Sequence, residues 1–300
     1  MEVIIILIFL IIMFCYYENN VFDITKFKIS ANVNNKIRIV HLSDLHSKEF
    51  GKDNKRLKKI ILKQKPNIVV TTGDMIDSNL RKIDEIINFL AELNKVVYVV
   101  YIPGNNEMRT EKINEILYKI NLNEVIVLDN KIKEININNN KIFILGLVEN
   151  RIDEGESFYE KANSRYFYNK SNLLFNELES KNGIKIILSH YPENFAAIGE
   201  ESYNKYNFNI MFSGHAHGGQ FILPFIGGLF APGQGILPKY YRGIHGEKNK
   251  LIISRGLGNS GFPLRLFNRP EVIVVDIYNR KRGFKWILFF ITLIYGMFCL

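Results

Sequence analysis

The stretch FNIMFSGHAHGGQ (residues 208–220) joins an apolar run to a histidine pair and two glycines. The run 208–212 predicts a buried strand, and His215 and His217 follow it closely. Residues i and i+2 of an extended backbone point to the same side, so these two imidazoles can face a common centre. An H-x-H pair is moderately specific for a metal site by itself, and its weight depends on partners elsewhere in the chain.

Four other apolar runs end in polar residues of the same chemical kind. Ligands of open α/β sheets bind beyond the carboxyl ends of the strands, where such residues meet. The four endings are Ser43-Asp44-Leu45-His46, Gly73-Asp74, Gly104-Asn105-Asn106-Glu107 and Ser189-His190. Together with the pair at 215 and 217, they contain four of the six histidines of the chain. Five such endings in one chain, each after an apolar run, predict a metal site.

The residue types at these endings suit a pair of divalent cations. Two cations about 3.5–4 Å apart need a bridging carboxylate and several neutral nitrogen or oxygen ligands. Imidazole, carboxylate and amide oxygen together favour Mn²⁺, Fe²⁺ or Zn²⁺ over Ca²⁺, which prefers shells of oxygen alone. The glycines that precede Asp74, Asn105 and His215 allow the backbone to turn sharply beside the cations.

Strand-like and helix-like stretches alternate around these endings. The segment 37–120 reads as three strands, each followed by a helix, which predicts a mainly parallel sheet with helices on its faces. The segment 125–147 then reads as consecutive strands, and the Gly- and Pro-rich segment 218–246 as loops with short hairpins. The predicted fold class is therefore α/β, with one domain over residues 36–278.

The order D-x-H, G-D, G-N-x-[ED], S-H, G-H-x-H resembles that of the calcineurin-like metallophosphoesterases, over residues 37–277. The stretch GHAHGGQ (214–220) and the segment 254–271, which opens with SRGLGNS, are similar to the membrane-associated subgroup of that family. The resemblance implies a four-layer α/β/β/α sandwich with the site at the edge of the sheets. It also implies hydrolysis of a phosphodiester or pyrophosphate bond by a metal-bridging hydroxide, on a lipid-linked or nucleotide-containing substrate.

The resemblance also implies a role for each residue at the strand ends. The implied ligand groups are Asp44, His46 and His217 for one cation, and Asn105, His190 and His215 for the other. Asp74 would bridge the two cations. The implied catalytic set is Asp74, Asn105 and Asn106, and the implied cofactors are two divalent ions, Mn²⁺, Fe²⁺ or Zn²⁺.

Asn106 departs from the pattern of the family, which usually has histidine after the ligand asparagine. That histidine is thought to protonate the leaving-group oxygen or to stabilise the transition state. Asparagine donates a hydrogen bond but supplies no proton, and a positioned general acid contributes about 10²–10⁴ in rate. The substitution therefore favours substrates with good leaving groups over phosphomonoesters. A catalytically weakened metal-binding scaffold or sensor is the alternative that it raises.

Arginines near the end of the predicted domain are candidates for substrate contact. Arg255 and Arg265, together with Arg269, could bind phosphate oxygens, since the guanidinium fork matches their geometry. A salt bridge with a carboxylate is the equally weighted alternative for each of them.

Both ends of the chain are apolar. The segment 1–24 contains the uncharged run 3–17, and the segment 284–300 contains the uncharged run 286–300. The first run predicts an uncleaved anchor rather than a signal peptide, because it lacks a basic start and a small-residue cleavage site. The second predicts another anchor, a re-entrant hairpin or a segment packed on the domain. Lysines after the first run and the Lys/Arg cluster at 280–285 favour a cytoplasmic catalytic domain at the cell membrane, with one or two anchors.

Composition sets the remaining limits. The chain has 300 residues, a formal net charge of +9 and 47% hydrophobic residues, and its shares of 23% charged and 13% aromatic residues exclude a disordered chain. Two cysteines, at positions 15 and 299, exclude a disulfide framework and a four-cysteine zinc site. The basic charge leaves a nuclease as a third hypothesis. The apolar ends and the lack of a basic stripe interleaved with aromatic residues argue against a nucleic-acid partner, and favour a membrane and a phosphoester substrate.

Overall fold

The structure is a computed structural model that describes residues 2–148, 165–196, 202–259 and 261–279. Its α-helices are α1 (Glu2–Asn20), α2 (Lys55–Lys63), α3 (Ile83–Asn94), α4 (Asn105–Met108), α5 (Ile113–Leu122) and α6 (Arg165–Ser180). The strands of its first half are β1 (Asp23–Ser30), β2 (Ile37–Leu42), β3 (Ile68–Thr72), β4 (Tyr98–Ile102), β5 (Ile126–Val127), β6 (Lys131–Ile137) and β7 (Asn140–Gly146). The later strands are β8 (Ile184–Leu188), β9 (Ile210–Ser213), β10 (Ile222–Leu223), β11 (Gly227–Gly228), β12 (Phe230–Ala231), β13 (Gly235–Ile236), β14 (Gly243–His245), β15 (Lys250–Ile253) and β16 (Glu271–Tyr278).

Two six-stranded sheets form the centre of the domain. The first has the order β1-β16-β2-β3-β4-β5, and the second has the order β14-β15-β9-β8-β7-β6. Strands β2 to β5 are parallel, as are β7, β8, β9 and β15, so each sheet has a parallel centre. The carboxyl ends of the parallel strands in each sheet therefore lie along one edge. The hairpins β10–β11 and β12–β13 stand apart from both sheets, in the segment expected to hold short hairpins.

Three apolar layers separate four layers of secondary structure. One joins α2, α3 and α5 to the outer face of the first sheet, and a second lies between the two sheets. The third joins α6 and nearby loops to the outer face of the second sheet. Alternation along the strands produces this division: in β2, Ile37 and Ile39 face the second sheet, whereas Val40 and Leu42 face the helices. The four-layer α/β/β/α sandwich predicted from the sequence is confirmed.

Strand β1 and helices α4 and α6 of the domain were not predicted. Strand β1 adds an edge to the first sheet by parallel pairing with β16, so the sheet begins before residue 36. In this strand exposed Lys26 and Lys28 alternate with inward-facing Phe27 and Ile29, so the lysines that flank the apolar run belong to an edge strand. Helix α6 packs on β6 and β7 through residues such as Phe175 and Leu178.

The N-terminal apolar run forms helix α1, which is long and apolar enough to cross a membrane. Its 19 residues span about 28 Å at 1.5 Å per residue. The helix is longer than the apolar run 3–17 because it continues into a polar last turn. The side chains from Val3 to Met13 are at least half exposed, whereas Glu18 and Asn19 are buried against the domain. The predicted C-terminal segment 284–300 lies outside the described residues.

Candidate metal centre

All seven predicted ligands come together at the carboxyl ends of the strands, and all are buried. The loops after β2, β3 and β4 carry Asp44, His46, Asp74 and Asn105 from the first sheet. The loops after β8 and β9 carry His190, His215 and His217 from the second sheet. Carboxylates and the amide are thus supplied by one sheet and three of the four imidazoles by the other.

The first group of ligand atoms forms around His46. Its Nε2 lies 3.1 Å from Nε2 of His217 and 4.0 Å from Oδ1 of Asp44. Nε2 of His217 is itself 3.5 Å from the same carboxylate oxygen. Two imidazole nitrogens and one carboxylate oxygen therefore face one another, in a cluster that could hold a metal ion.

The second group forms around His190. Its Nε2 lies 3.0 Å from Oδ1 of Asn105 and 3.2 Å from Nδ1 of His215. The Asp74 carboxylate connects this group to the first: its Oδ2 is 3.6 Å from Nε2 of His190 and 3.7 Å from Nε2 of His46. A single carboxylate oxygen thus lies between the two groups of ligand atoms.

The protonation of His190 supports cation binding at the second group. Its Nδ1 lies 2.6 Å from the carbonyl oxygen of Thr72, which can only accept, so Nδ1 carries the proton. In the neutral ring, the state that a metal ligand requires, Nε2 directs a lone pair toward the carboxylate oxygen of Asp74 and the amide oxygen of Asn105. Lone pairs that converge in this way repel one another unless a cation binds between them. Their separations match those of ligands about 2.1 Å from a shared cation, which lie roughly 3–3.5 Å apart.

Burial and neighbouring groups shift the pKa values of these residues. Burial lowers the pKa of His215 and His217 well below the usual value, so both are neutral, as metal ligands must be. Burial raises the pKa of Asp44, and the neighbouring Asp74 charge raises it further. Burial also acts to raise the pKa of Asp74. The charges of His190 and His46 and the hydrogen bonds to the carboxylate outweigh burial, so this pKa lies below its usual value.

The ligand loops have an unusual backbone conformation. Asp44, His46, Asp74, His215 and His217 all have positive φ, between 47° and 63°, a region that residues other than glycine seldom adopt. Such conformations cost of order 1–3 kcal/mol each and persist where surrounding contacts enforce them. At Gly214, a Cβ would collide with the Ser43 hydroxyl and the Asp44 carboxylate, so close packing there requires glycine.

Glu107 is a buried residue that holds two ligand-bearing loops in place. It belongs to the motif at 104–107, but the sequence did not predict a role for it. Its carboxylate accepts hydrogen bonds from the backbone N–H of Asp74 and Gly104, both at 2.9 Å, and from that of Ile76 at 3.0 Å. The Tyr101 hydroxyl donates a fourth at 3.1 Å. Burial, with the nearby Asp74 charge, raises the pKa of Glu107 to about 7. Glu107 therefore ties the loop after β3 to the loop after β4.

Asn106 lies beside the central carboxylate. Its backbone N–H donates to Asp74 Oδ1 at 2.8 Å, and its side-chain amide donates to Oδ2, the oxygen between the two ligand groups. The side chain is half-buried and lines the cavity over the site.

A cavity of about 440 Å³ opens over the ligands. Besides ligand residues and Asn106, its walls contain Arg109, Tyr191, Gln220, Phe230, Pro232 and Phe262. Among the described residues of the cavity wall, the arginine is Arg109, which was not one of the predicted substrate residues. It follows Asn105 by four residues, so α4 carries it back to the site, and an arginine one helical turn after the G-N motif was the available signal.

The structure does not bring the predicted substrate arginines to this cavity. Arg255 forms a buried salt bridge with Asp23 at 2.9 Å and with Glu271 at 3.1 Å. Arg265 is buried and donates to the backbone carbonyl oxygens of Arg255 and Asn268. Arg269 pairs with Asp23 at 2.7 Å. Asp23, on the edge strand β1 that the sequence did not predict, is thus the shared partner of Arg255 and Arg269, whereas Arg265 is held by backbone carbonyls.

The chain is similar in sequence to several known proteins. Residues 37–219 match the model of the calcineurin-like phosphoesterase family. An uncharacterised metallophosphoesterase of Aquifex aeolicus is 28% identical over 261 residues, 82% of this chain and 86% of that protein. The uncharacterised metallophosphoesterase YkuE of Bacillus subtilis is 28% identical over 274 residues, 87% of each chain. A crystal structure of a Thermus thermophilus protein, TT1561, is 13% identical with a TM-score of 0.49, covering 74% of this chain and 91% of that one.

Proposed function

This chain belongs to the calcineurin-like phosphoesterase family and is a metal-dependent phosphoesterase, and we propose that it is a membrane-associated enzyme that hydrolyses a phosphodiester or pyrophosphate bond with two divalent cations. The position of Asp74 carries the proposal. One oxygen of its carboxylate lies within 3.7 Å of a nitrogen from each ligand group, as a bridging ligand requires. The proposed ligands are Asp44, His46 and His217 for one cation, Asn105, His190 and His215 for the other, and Asp74 for both.

Two bound cations would supply Lewis-acid stabilisation of charge on the phosphoryl group and a water of lowered pKa. The residues of the chain would orient the substrate around them. Arg109, on the cavity wall, would bind a non-bridging phosphate oxygen, since its charge and fork suit that contact. The side chain of Asn106 would hold the Asp74 carboxylate through its amide hydrogens.

Asn106 decides which phosphoesters we expect to be good substrates. Its amide cannot give a proton to a departing oxygen, and the described cavity wall contains no histidine other than proposed ligands. The leaving group must therefore depart as a stabilised anion, as a phosphate or a phenolate does. This chemistry favours pyrophosphates and activated phosphodiesters over monoesters of simple alcohols.

The terminal segments support a membrane location. Helix α1 presents an apolar surface, and its polar end is buried on the domain, which would hold the cavity close to a bilayer. A lipid-linked phosphoester is a substrate that such an enzyme could reach. Lys26, Lys28 and the basic cluster at 280–285 favour a cytoplasmic domain. A topology reporter inserted at Glu247 should read cytoplasmic, and an extracellular reading would contradict this orientation.

Hydrolysis of bis-p-nitrophenyl phosphate tests the proposed activity. The full chain, purified in detergent and stripped of metal, should hydrolyse it on addition of Mn²⁺, Fe²⁺ or Zn²⁺. The variant Asn106→His should raise turnover of p-nitrophenyl phosphate relative to the diester, because a general acid helps the poorer substrate most. A chain that is inert with every metal and every substrate would instead be the metal-binding scaffold that Asn106 suggests.

A further inference from the structure

Large apolar side chains are exposed on the segments around the cavity mouth. They lie on the hairpins β10–β11 and β12–β13 and on the loop 261–267, and we call them the apolar rim: Phe225, Ile226, Ile236, Leu237, Phe262 and Phe267. Phe225 is fully exposed and Ile236 is 80% exposed. Contiguous exposed apolar side chains on a folded domain mark a site of contact with another surface.

Hydrogen bonds connect the rim segments to one another. The backbone N–H of Ile222 donates to the carbonyl of Leu266 at 3.0 Å, which joins the first hairpin to the loop. The backbone N–H of Leu237 donates to the carbonyl of Leu229, and the N–H of Leu229 donates to the carbonyl of Phe221, both at 3.0 Å, so Leu229 connects the second hairpin to the first. The side chain of Gln220 donates to the carbonyl of Leu264 at 2.8 Å. The rim is therefore one connected structure and not a set of independent loops.

The rim is continuous with helix α1. The ring of Phe267 packs edge-on against Phe14 of the helix, with ring centroids 5.7 Å apart. The next residue, Asn268, donates its backbone N–H to the Glu18 carboxylate at 3.1 Å. Because Phe14 precedes Glu18 by four residues, it lies about 6 Å further along the helix, within the apolar stretch. If α1 lies in a bilayer, Phe267 is therefore at the depth of apolar side chains.

The charge of the rim segments also suits a bilayer. Residues 218–246 contain no Asp or Glu, and their only charged residues are Lys239 and Arg242. Both are exposed, and each lies over an adjacent tyrosine ring, Tyr240 and Tyr241. Exposed cations beside tyrosine are typical of the interface between lipid headgroups and acyl chains, and they attract anionic lipid.

The rim also reaches the cavity. Phe262 belongs to the rim and lines the cavity that contains the proposed metal ligands, and Phe230 and Pro232 of the second hairpin line it as well. The segments that carry the rim therefore also supply apolar walls of the cavity over the ligands.

We propose that the apolar rim is a second bilayer-contacting surface, which seats the cavity mouth on the membrane beside α1. This inference rests on the proposed membrane association. The rim would let a phosphoester enter the cavity while its hydrocarbon chain stays among the lipids. The occupant of the rim is thus the lipid bilayer itself.

Depth measurements on the full chain test the contact directly. In a Trp286→Phe background, which removes the single tryptophan of the sequence, Phe225→Trp and Ile236→Trp each place one fluorophore on the rim. In vesicles of phosphatidylcholine and phosphatidylglycerol, brominated lipids should quench both at least about twofold more than Tyr118→Trp, an exposed control on α5. Equal quenching at the rim and control positions would overturn the proposal.

Activity on two matched substrates separates this inference from the proposed function. Ethyl and hexadecyl p-nitrophenyl phosphate share a leaving group, but only the second partitions into vesicles. The double variant Phe225→Ser/Ile226→Ser, which leaves the cavity wall intact, should cleave the ethyl ester like wild type and the hexadecyl ester about 10-fold more slowly. Equal rates of wild type and variant on both esters would overturn the rim alone, whereas a wild type inert on both would overturn the proposed function.

A second copy of the chain is the competing occupant. If the wild type is dimeric in detergent and Phe225→Ser/Ile226→Ser is monomeric by light scattering, the rim is a self-association surface and the bilayer proposal fails. Tyr118→Ser is the control for loss of an exposed aromatic ring elsewhere, and it should change neither the oligomeric state nor the rates.

Discussion

Asp74 and Asp276 are both carboxylates on the first sheet, and they are stabilised in opposite ways. Asp276, within β16, accepts two hydrogen bonds from Arg38 at 2.7 and 2.9 Å and a third from Lys36. Asp74, just past the end of β3, is fully buried and faces the imidazoles of His46 and His190 and a second carboxylate, Asp44. The charge of Asp276 is therefore balanced by two side chains that are always cationic, whereas Asp74 faces imidazoles and a carboxylate that are themselves proposed metal ligands.

The backbone conformation also differs between the two regions. Asp276 lies in regular paired strands, opposite Arg38 on β2. Asp74 and its neighbouring ligands have left-handed backbone conformations that are enforced by glycine packing and by Glu107. Strain and uncompensated charge thus occur together at the strand ends, which is characteristic of a functional site.

The largest contrast should come from the isosteric changes Asp74→Asn and Asp276→Asn. Asp74→Asn removes the proposed bridging charge and should lower kcat on bis-p-nitrophenyl phosphate by at least about 10³-fold. Asp276→Asn should leave kcat within about twofold. Circular dichroism should show both variants folded. Comparable activity of the two variants would remove the basis for treating Asp74 as the bridge.

Metal should stabilise the folded chain through the same carboxylate. At a cation concentration 100 times the Kd, binding contributes about 2.7 kcal/mol, which corresponds to roughly 5–10 °C in Tm for a domain of this size. The metal-stripped wild type and Asp276→Asn should both gain this shift on addition of Mn²⁺, and Asp74→Asn should gain much less. An equal shift in all three proteins would mean that Mn²⁺ binds elsewhere.

Arg109 and Arg269 provide a comparison of the same kind for arginine. Arg109→Gln should raise KM for the diester about 10-fold, since a hydrogen bond to a charged group contributes about 1.5–3 kcal/mol. Arg269→Gln, which removes a partner of Asp23, should leave KM unchanged. Steady-state kinetics at saturating metal measure both values, and a larger effect at Arg269 would reverse the assignment.

The smallest effect concerns stability and its dependence on pH. Burial acts to raise the pKa of Asp276, but the hydrogen bonds and charges of Arg38 and Lys36 outweigh it, so the folded pKa lies below the unfolded one. The interaction of Asp276 with Arg38 and Lys36 therefore stabilises the fold at pH values above the unfolded pKa, about 4. This stabilisation is lost as the pH falls toward the pKa of Asp276 in the folded state.

Asp276→Asn should accordingly lower the free energy of unfolding by about 1 kcal/mol at pH 7, since solvent screens this partly exposed pair. The difference from wild type should shrink below about pH 4. Urea unfolding at pH 7 and pH 3.5 measures it. Glu134→Gln, which breaks the exposed pair with Lys141, is the control and should cost under about 0.5 kcal/mol. A difference between wild type and Asp276→Asn that grows as the pH falls would contradict the sign.

Local sequence patterns were sufficient for much of the fold. Strands β2, β3, β4, β8 and β9 form on the five apolar runs that end in the predicted ligands, because continuous apolar runs bounded by polar turns identify buried parallel strands. Strand β1 escaped prediction because it is an edge strand whose lysines face outward, and its pairing with β16 joins residues almost 250 positions apart. A short stretch of sequence contains no pattern that predicts strand pairing over such a separation.

The sequence by itself determined the family, the fold class and the seven residues that meet at the strand ends, because parallel strands deliver their carboxyl ends to a common edge whatever the details of packing. Only the tertiary structure decided which arginine faces the substrate cavity. Arg109 reaches the cavity through one turn of α4, whereas Arg255 pairs with Asp23 on a strand that precedes the motifs. The tertiary structure also decided that Phe267 of the apolar rim packs against Phe14 of α1. A side chain's partner depends on contacts between distant segments, which no local pattern contains.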